Sequence, residues 1–572
     1  MIETKGLTGG EALLRVLAGM GVDRIFASPG SEWSPVWEAL ARPDPRSESI
    51  PLYLSARHEE TAVSMASGYV KASGKLPAVM IHTTVGALHA SMALRGAYHE
   101  QIPMVVFCGE SVGFGEEEGP DPGGQWLRHL TDMGGPARLV ERCVKWSFGV
   151  NSKALVPMTI QRACQLAMAS PQGPVFVSLP MEFLFDKMTT DPLPAAAFPL
   201  QATAGSAGIE ELAKLLAGAK NPIIITEEAG RTEATVKRLV EIAELLGAAV
   251  IETRSTTFGN FPRTHPLHGG FEPREYLQEA DMVLILGAVA PWHPASAGPG
   301  PGVKVAILDE NPVRDEVPFW GYQADLCLKG EVEGSVSQLL EKLKQQVSSN
   351  DSTRTGRRER WHKRFRERKE SWKQEAVSFK DHKPIDTRWA IYELSQVLPP
   401  NVMVVEETIT HRLAIHRYLD ALRPGSYFAG CTGGLGTGLG TALGVKAAAP
   451  KRPVVAIMGD GAFNYNPALA TLGFSQEYGM PILIILMNNR GYKSMKAGVP
   501  RYYPEGWAVR TKTFVGTSIT PSPDYAAITR AYGGFGEKVE EPGEVRRVLE
   551  RGFKAVAGGQ VALIDIWLDA VN

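Results

Sequence analysis

Asp460, Asn488, Asn489 and Gly491 carry the oxygen atoms that a small hard cation takes. Asp460 offers a carboxylate, one of the two asparagines an amide oxygen, and the loop at Gly491 a backbone carbonyl. Mg2+ accepts such a set and completes its shell with water and phosphate oxygens. Gly459 and Gly461 flank Asp460, so the main chain there can come close to a phosphate, and the N–H groups of a following helix would point the same way. Alone, Gly-Asp-Gly after a strand is a structural turn; a second strand ending in Asn-Asn at this spacing turns the pair into a candidate metal and phosphate site.

Elements of definite type have to position those residues. Val454–Met458 and Ile482–Met487 are apolar, β-branched runs of strand length, which predicts strands buried on both faces. Asn466 fits a helix N-cap, Pro467 the first helical position and Gly479 a helix stop. The result is a strand–helix–strand unit whose right-handed crossover makes the strands parallel. Asp460 and the asparagines then share one sheet edge, where open α/β sheets bind ligands.

The same alternation runs along the whole chain and predicts an α/β protein of three doubly wound parallel-sheet domains. Residues 1–190 hold strands at Arg24–Ala27, Leu52–Leu54, Ala78–His82, Pro103–Cys108 and Pro174–Leu179. A Pro/Ala-rich linker (191–205) leads to a domain at 206–345, a charged connecting helix at 346–385 and a last domain at 386–572. The first and third domains look like two variants of one fold, separated by a spacer.

Composition narrows the function. Lys plus Arg number 60 against 62 Asp plus Glu, which gives no electrostatic case for nucleic acid. No apolar run approaches the ~20 residues that cross a bilayer, and the polar, amphipathic start is not that of a signal peptide. Five scattered cysteines (108, 143, 164, 327 and 431) without a Cys-x-x-Cys fit neither a disulfide framework nor a zinc site. A soluble cytoplasmic protein is the expectation.

After the strand Leu52–Leu54 comes Arg57-His58-Glu59-Glu60-Thr61-Ala62, opening a helix that reaches Gly68-Tyr69. With the Gly-Asp-Gly and Asn-Asn elements, this resembles thiamine-diphosphate-dependent enzymes of the benzoylformate decarboxylase, acetohydroxyacid synthase and pyruvate oxidase superfamily, over essentially the whole chain. The resemblance implies pyrimidine-binding, central and diphosphate-binding domains. It also implies thiamine diphosphate and Mg2+ as cofactors, with Asp460, Asn489 and Gly491 at the metal. Gly433, Gly459, Gly461, Ala462 and Thr410 would line the cofactor, Thr408 being a second donor to its diphosphate. Glu59 would hydrogen-bond the aminopyrimidine ring, and Leu435 would prop the cofactor in its bent shape. In such enzymes the two cofactor-binding domains come from different chains, so the implied unit is a homodimer or homotetramer. FAD is not indicated, because the central domain lacks a Gly-rich fingerprint, although synthases bind it without one.

Three substrate-side features resemble benzoylformate decarboxylase: Ser31 in Pro29-Gly30-Ser31-Glu32, His82 opening His82-Thr83-Thr84-Val85-Gly86, and His293 past a central strand. They imply that Ser31 engages a substrate carboxylate and that the two imidazoles move protons. The chain departs from the pattern at His89, where relatives commonly carry asparagine. Gln125, in the 113–130 loop, lies near a synthase glutamine that faces the cofactor. The 493–512 segment has five basic and three aromatic residues, which suit either an anionic or CoA-bearing substrate or a solvated surface. The expected activity is decarboxylation of a 2-oxo acid, with carboligation as its variant. An acetohydroxyacid-synthase-like transferase, a 2-hydroxyacyl-CoA lyase and a non-catalytic scaffold are the alternatives.

Overall fold

The computed structural model describes residues 2–42, 50–113, 115–116, 121–189, 193–194, 196–347, 352–420, 422–430 and 433–570. Cys431, and residues 114 and 117–120 of the 113–130 loop, lie outside them. Two compact units emerge: Met1–Leu200 with Thr432–Lys451 and Tyr465–Met480, and Gln201–Cys431 with Arg452–Asn464 and Pro481–Asn572.

The first unit contains a six-stranded sheet of β1 (Arg24–Ser28), β2 (Leu52–Ser55), β3 (Ala78–Ile81), β4 (Met104–Glu110), β5 (Trp146–Gly149) and β6 (Pro174–Pro180). Its order is β2-β1-β3-β4-β6-β5, and every pair is parallel. Strands β3, β4 and β6 are buried at every residue, because helices cover both faces, and their sequences are correspondingly apolar apart from Glu110 and Ser178, which hydrogen-bond each other.

The second unit contains two further parallel sheets. One comprises β7 (Pro222–Thr226), β8 (Ala249–Glu252), β9 (His268–Gly270), β10 (Met282–Leu286), β11 (Lys304–Asp309) and β12 (Leu326–Lys329), ordered β12-β11-β10-β7-β8-β9. The other comprises β13 (Met403–Glu407), β14 (Tyr427–Ala429), β15 (Val454–Gly459), β16 (Leu483–Asn488), β17 (Phe535–Val539) and β18 (Ala562–Trp567). Its order, β14-β13-β15-β16-β18-β17, repeats that of the first sheet strand for strand. The likeness between the two ends of the chain therefore extends to topology, whereas the middle sheet follows the dinucleotide-fold order.

One helix start differs from expectation. Asp460–Tyr465 is already helical, and the next helix, Ala468–Glu477, is preceded by Pro467. Asn466 is not its side-chain cap. Its Oδ1 instead accepts the Leu439 N–H at 2.9 Å, near the start of the helix Gly438–Ala448. The charged connecting helix is present as Ser352–Ser378, and it is docked on its neighbours. Trp361 is buried, Arg357 Nε donates to Gly247 O at 3.2 Å, and Arg364 pairs with Glu279 at 2.9 Å. The guanidinium groups of Arg354, Arg357, Arg360, Arg364 and Arg368 all donate to intramolecular partners. No described helix is long and apolar enough to cross a membrane.

Helix Gly438–Ala448 lies against helix Glu59–Ser73 at backbone distance. A Cβ on Gly444 would fall 1.9 Å from Met65 O, one on Gly68 2.0 Å from Thr441 O, and one on Gly440 2.6 Å from Ser64 Cβ. Glycine is required on both helices because the obstacles are mostly main chain. Gly444→Ala is expected to destabilise the protein by about 1–3 kcal/mol through overpacking. Gly543→Ala, where an added Cβ meets nothing within 4 Å, is the control. Thermal melts in which both variants match the wild type would contradict this packing.

Candidate functional site

In the first sheet the strand order reverses between β1 and β3, so the crevice beyond their carboxyl ends is the natural ligand site. Ser31 and Glu32 follow β1, and His82 follows β3 as the residue before the helix Thr83–His99. Glu32 was singled out by nothing except its place in the Ser31 motif, yet it organises this crevice. Its side chain is fully buried, Oε1 accepting the Gly30 N–H at 3.1 Å and Oε2 lying 2.9 Å from His82 Nδ1. A Cβ on Gly30 would sit 2.1 Å from His82 Nδ1, so only glycine lets the turn close on the imidazole. The hydrogen bond from Glu32 raises the His82 pKa against the opposing effect of partial burial. Nδ1 is thereby committed, and Nε2 is the nitrogen left to hold or release a proton at the crevice. Gln125 Nε2 donates to Ser31 Oγ at 3.1 Å, which leaves the Ser31 hydroxyl proton for an acceptor such as a carboxylate.

Glu59 begins the helix that follows β2, with His58 as its N-cap. The Glu59 side chain is 12% exposed, and its Oε2 is 3.2 Å from His89 Nδ1. Gly86 is the common neighbour of two candidate groups: a Cβ there would be 3.3 Å from Glu59 Oε1 and 3.4 Å from the His82 Cβ. Structure therefore brings the neighbouring pair Ser31 and Glu32 together with His82 and Glu59, which the sequence keeps apart from it and from each other. The turn with Gly433 and Leu435 belongs to the same unit; Leu435 is half-buried, and a Cβ on Gly436 would be 3.8 Å from Glu60 Oε1.

In the second unit the corresponding reversal lies between β13 and β15, and Asp460 immediately follows β15. Asp460 is buried, and Oδ2 accepts the Gly491 N–H at 2.9 Å. Desolvation pushes its pKa up to about 6 despite backbone donors at Gly461 and Gly491. A carboxylate so placed gains strongly from a nearby cation. Gly459 faces open space, since an added Cβ would meet nothing within 4 Å, while Gly461 packs against the Tyr492 ring and Ala462 is buried. Gly491 is pinned by the 517–519 strip, Thr517 O lying 2.3 Å from where its Cβ would be.

The two asparagines have different tasks. Asn488 Nδ2 donates to Asp565 Oδ1 at 2.9 Å and Asn488 Oδ1 accepts from Arg490 N–H at 3.1 Å, so its amide is consumed locally. Asn489 Nδ2 donates to His411 Nε2 at 3.3 Å, whereas Asn489 Oδ1 is buried without a hydrogen-bond partner among the described residues. The Asn489 backbone also bonds the Asp460 carboxylate, so an orphaned buried amide oxygen and a desolvated carboxylate belong to one loop, a donor set that fits a hard cation. His411, absent from the candidates read off the sequence, sets this orientation. It is buried, which lowers its pKa to about 4, so the imidazole is neutral and accepts at Nε2 while Nδ1 donates to Thr387 Oγ1 at 3.0 Å. No local motif marks it; a lone His near Thr410 looks like a surface residue until Thr387 and Asn489 close around it.

Some expectations separate. Thr408 is buried with its hydroxyl and its N–H both turned to Glu406, so its side chain is not a free donor; this corrects its reading as a diphosphate ligand. Thr410 is exposed. His293 is exposed on the loop after β10, next to Val289 and Ala290, whose N–H groups are held by the Glu227 carboxylate at 2.6 and 3.2 Å. In the 493–512 segment Tyr502, Tyr503 and Trp507 are largely exposed.

Comparison with known proteins agrees with this geometry. Family models for thiamine pyrophosphate enzymes match three stretches: the N-terminal TPP binding domain at residues 7–116, the central domain at 209–333 and the C-terminal TPP binding domain at 409–566. The chain is 25% identical to the acetolactate synthase isozyme 3 large subunit of Escherichia coli K12, covering 98% of this chain and 95% of that protein. It is 26% identical to the mitochondrial acetolactate synthase catalytic subunit of Aspergillus candidus, covering 95% of this chain and 78% of that one. Its fold is similar to benzoylformate decarboxylase from Polynucleobacter necessarius (TM-score 0.77, 20% identity, 98% of both chains). It is also similar to 4-hydroxybenzoylformate decarboxylase from Rhodococcus jostii RHA1 (TM-score 0.79, 23% identity, 98% of this chain and 99% of that one).

The Glu32–His82 pair has a measurable signature. Because His82 titrates above its unfolded value, the pair stabilises the fold fully below about pH 6.5, and that contribution is lost as pH rises through the folded-state midpoint. Glu32→Gln is expected to lower the His82 midpoint in histidine-selective NMR and to flatten this part of the stability–pH curve. An unmoved His82 resonance would show that Glu32 does not govern it.

Proposed function

The chain belongs to the thiamine pyrophosphate enzyme family, and from that premise we propose that it uses thiamine diphosphate and Mg2+ to cleave the carbon–carbon bond beside the carbonyl of a 2-oxo acid. When bound, the cofactor supplies a carbanion that attacks the carbonyl and an electron sink for the bond that breaks. Asp460, Asn489 and the Gly491 carbonyl would hold the metal; Gly433, Gly459, Gly461, Ala462, Leu435 and Thr410 would seat the rest of the cofactor, and Glu59 its aminopyrimidine. The observation that carries the reading is the Glu32–His82–Glu59 arrangement at the first switch point, which unites a buried carboxylate, an imidazole of raised pKa and the cofactor-side glutamate. The remaining oxygen of Glu59, Oε1, makes no hydrogen bond to a described residue and is the one available to a ring nitrogen.

The roles of the other side chains follow from their free atoms. Ser31 donates its hydroxyl proton to the substrate carboxylate and so orients the bond to be broken. His82, protonated with the help of Glu32, delivers a proton from Nε2 to the product side and favours release as an aldehyde. His293 is the second imidazole, set on a loop that Glu227 fixes. A second copy of the chain would complete the site as a homodimer or homotetramer; Val85 and Leu88, about half exposed on the helix after His82, give it an apolar surface to cover. A flavin is not part of the reading: the Val289 and Ala290 N–H groups at the central sheet's switch point already donate to Glu227, so they add nothing in its favour. A second reading, an acetolactate-synthase-like transferase that passes the two-carbon unit to another 2-oxo acid, is favoured by the sequence relatives, which are synthases.

Calorimetry with thiamine diphosphate and Mg2+ should show saturable binding, and Asn489→Ala should weaken the Mg2+ requirement's midpoint by about 10–100-fold. Glu59→Gln should keep cofactor affinity within about tenfold, yet slow exchange of the cofactor's C2 hydrogen by at least about 100-fold. Product analysis with benzoylformate and pyruvate then separates the readings: aldehyde marks a decarboxylase, acetolactate a synthase. Absence of binding by the wild type would refute both.

A further inference from the structure

Glu59 has a partner that the reaction above leaves unused. His89, on the helix Thr83–His99, places Nδ1 3.2 Å from Glu59 Oε2, and its ring stacks on that of His58 with centroids 5.3 Å apart and planes 11° from parallel. The two histidines differ. His58 Nδ1 accepts the Glu60 N–H at 3.2 Å, and burial lowers its pKa, so it is neutral with its proton on Nε2 and serves as the helix cap. Only His89 touches the carboxylate. Its side chain is 61% exposed against 12% for Glu59, so one ring spans from the sheltered acid to water. The groups facing the pair are His58 from the Glu59 helix and, beyond Gly86, His82 with Glu32 behind it.

We propose that His89 positions Glu59 and exchanges protons with it, holding Oε2 so that Oε1 is left for the cofactor ring. The inference rests on Glu59 serving a thiamine-diphosphate site. The proton balance is simple. Glu59 protonated on Oε2 gives that proton to Nδ1 of the neutral His89 ring, and the imidazolium then releases its Nε2 proton to water. In the reverse order water protonates Nε2 and Nδ1 returns its proton to Oε2, which restores the neutral acid. Nothing is oxidised or reduced.

Asparagine at position 89 separates holding from exchange, because its Nδ2 occupies the place of the imidazole Nδ1 but does not titrate. The experiment is calorimetric titration of the full-length, cofactor-free protein with thiamine diphosphate and Mg2+. Runs in buffers of different ionisation enthalpy, between about pH 5.5 and 8, count the protons exchanged on binding. His89→Asn is expected to bind within about threefold of the wild type but to lose at least half of the pH-dependent change in proton count. His89→Ala should in addition bind about tenfold more weakly, the equivalent of one hydrogen bond. The one position changed is largely exposed, so folding is not at stake in either variant. Wild-type proton counts in His89→Asn overturn the exchange role, and wild-type affinity in His89→Ala overturns the positioning role. A wild type that binds no thiamine diphosphate would remove the underlying assignment instead, a result recognisable before any variant is made.

Discussion

Two helices can meet main chain to main chain only where neither carries a side chain at the crossing. Gly68 on one and Gly440 and Gly444 on the other meet that condition, and the contact they allow anchors the beginning of the Glu59 helix beside the turn at Gly433–Gly436. That helix begins where β2 ends, so its register along the crossing also sets the depth at which Glu59 enters the crevice. Displacing the crossing by one residue would rotate the helix by about 100° and carry Glu59 away from Gly86 and His89. The chemistry of this region thus depends on an absence of side-chain atoms well away from it.

The three sheets place their polar residues by one rule and use it differently. At the reversals of the first and third sheets the crevice holds Ser31, Glu32 and His82 in one case and Asp460 with its loop in the other. The middle sheet reverses between β7 and β10, where Glu227 bonds back to Val289 and Ala290 and to Thr253. A carboxylate of the chain itself occupies the backbone donors that a diphosphate would otherwise use. The same fold rule therefore yields two switch points lined by polar side chains and one whose backbone donors are internally satisfied.

Much of this was legible in the residues. Central strands such as β4, β7, β15 and β16 are continuous apolar runs, and their identity follows from burial on both faces. Of the edge strands β2 was read, but β5, β14 and β17 were missed, since short strands with a single neighbour need little apolar sequence. Asp460 and Asn489 stood out because they terminate strands. Glu32 and His411 did not, because the function of each is to orient another side chain, and such a role has meaning only once Gly30 has closed on His82 or Thr387 has come beside His411. Asn466 misled for a related reason: a capping side chain serves whichever free N–H is nearest in space, and here that was Leu439.

The lone oxygen of Asn489 has a thermodynamic corollary. A buried acceptor left unsatisfied costs a fold about 1–3 kcal/mol; this one has no partner among the described residues and cannot escape by turning, since His411 grips the other end of its amide. Any species able to satisfy it recovers that sum on arrival. The fold is thus tuned to be more rugged in company than in solitude, and heat tolerance should report who is present.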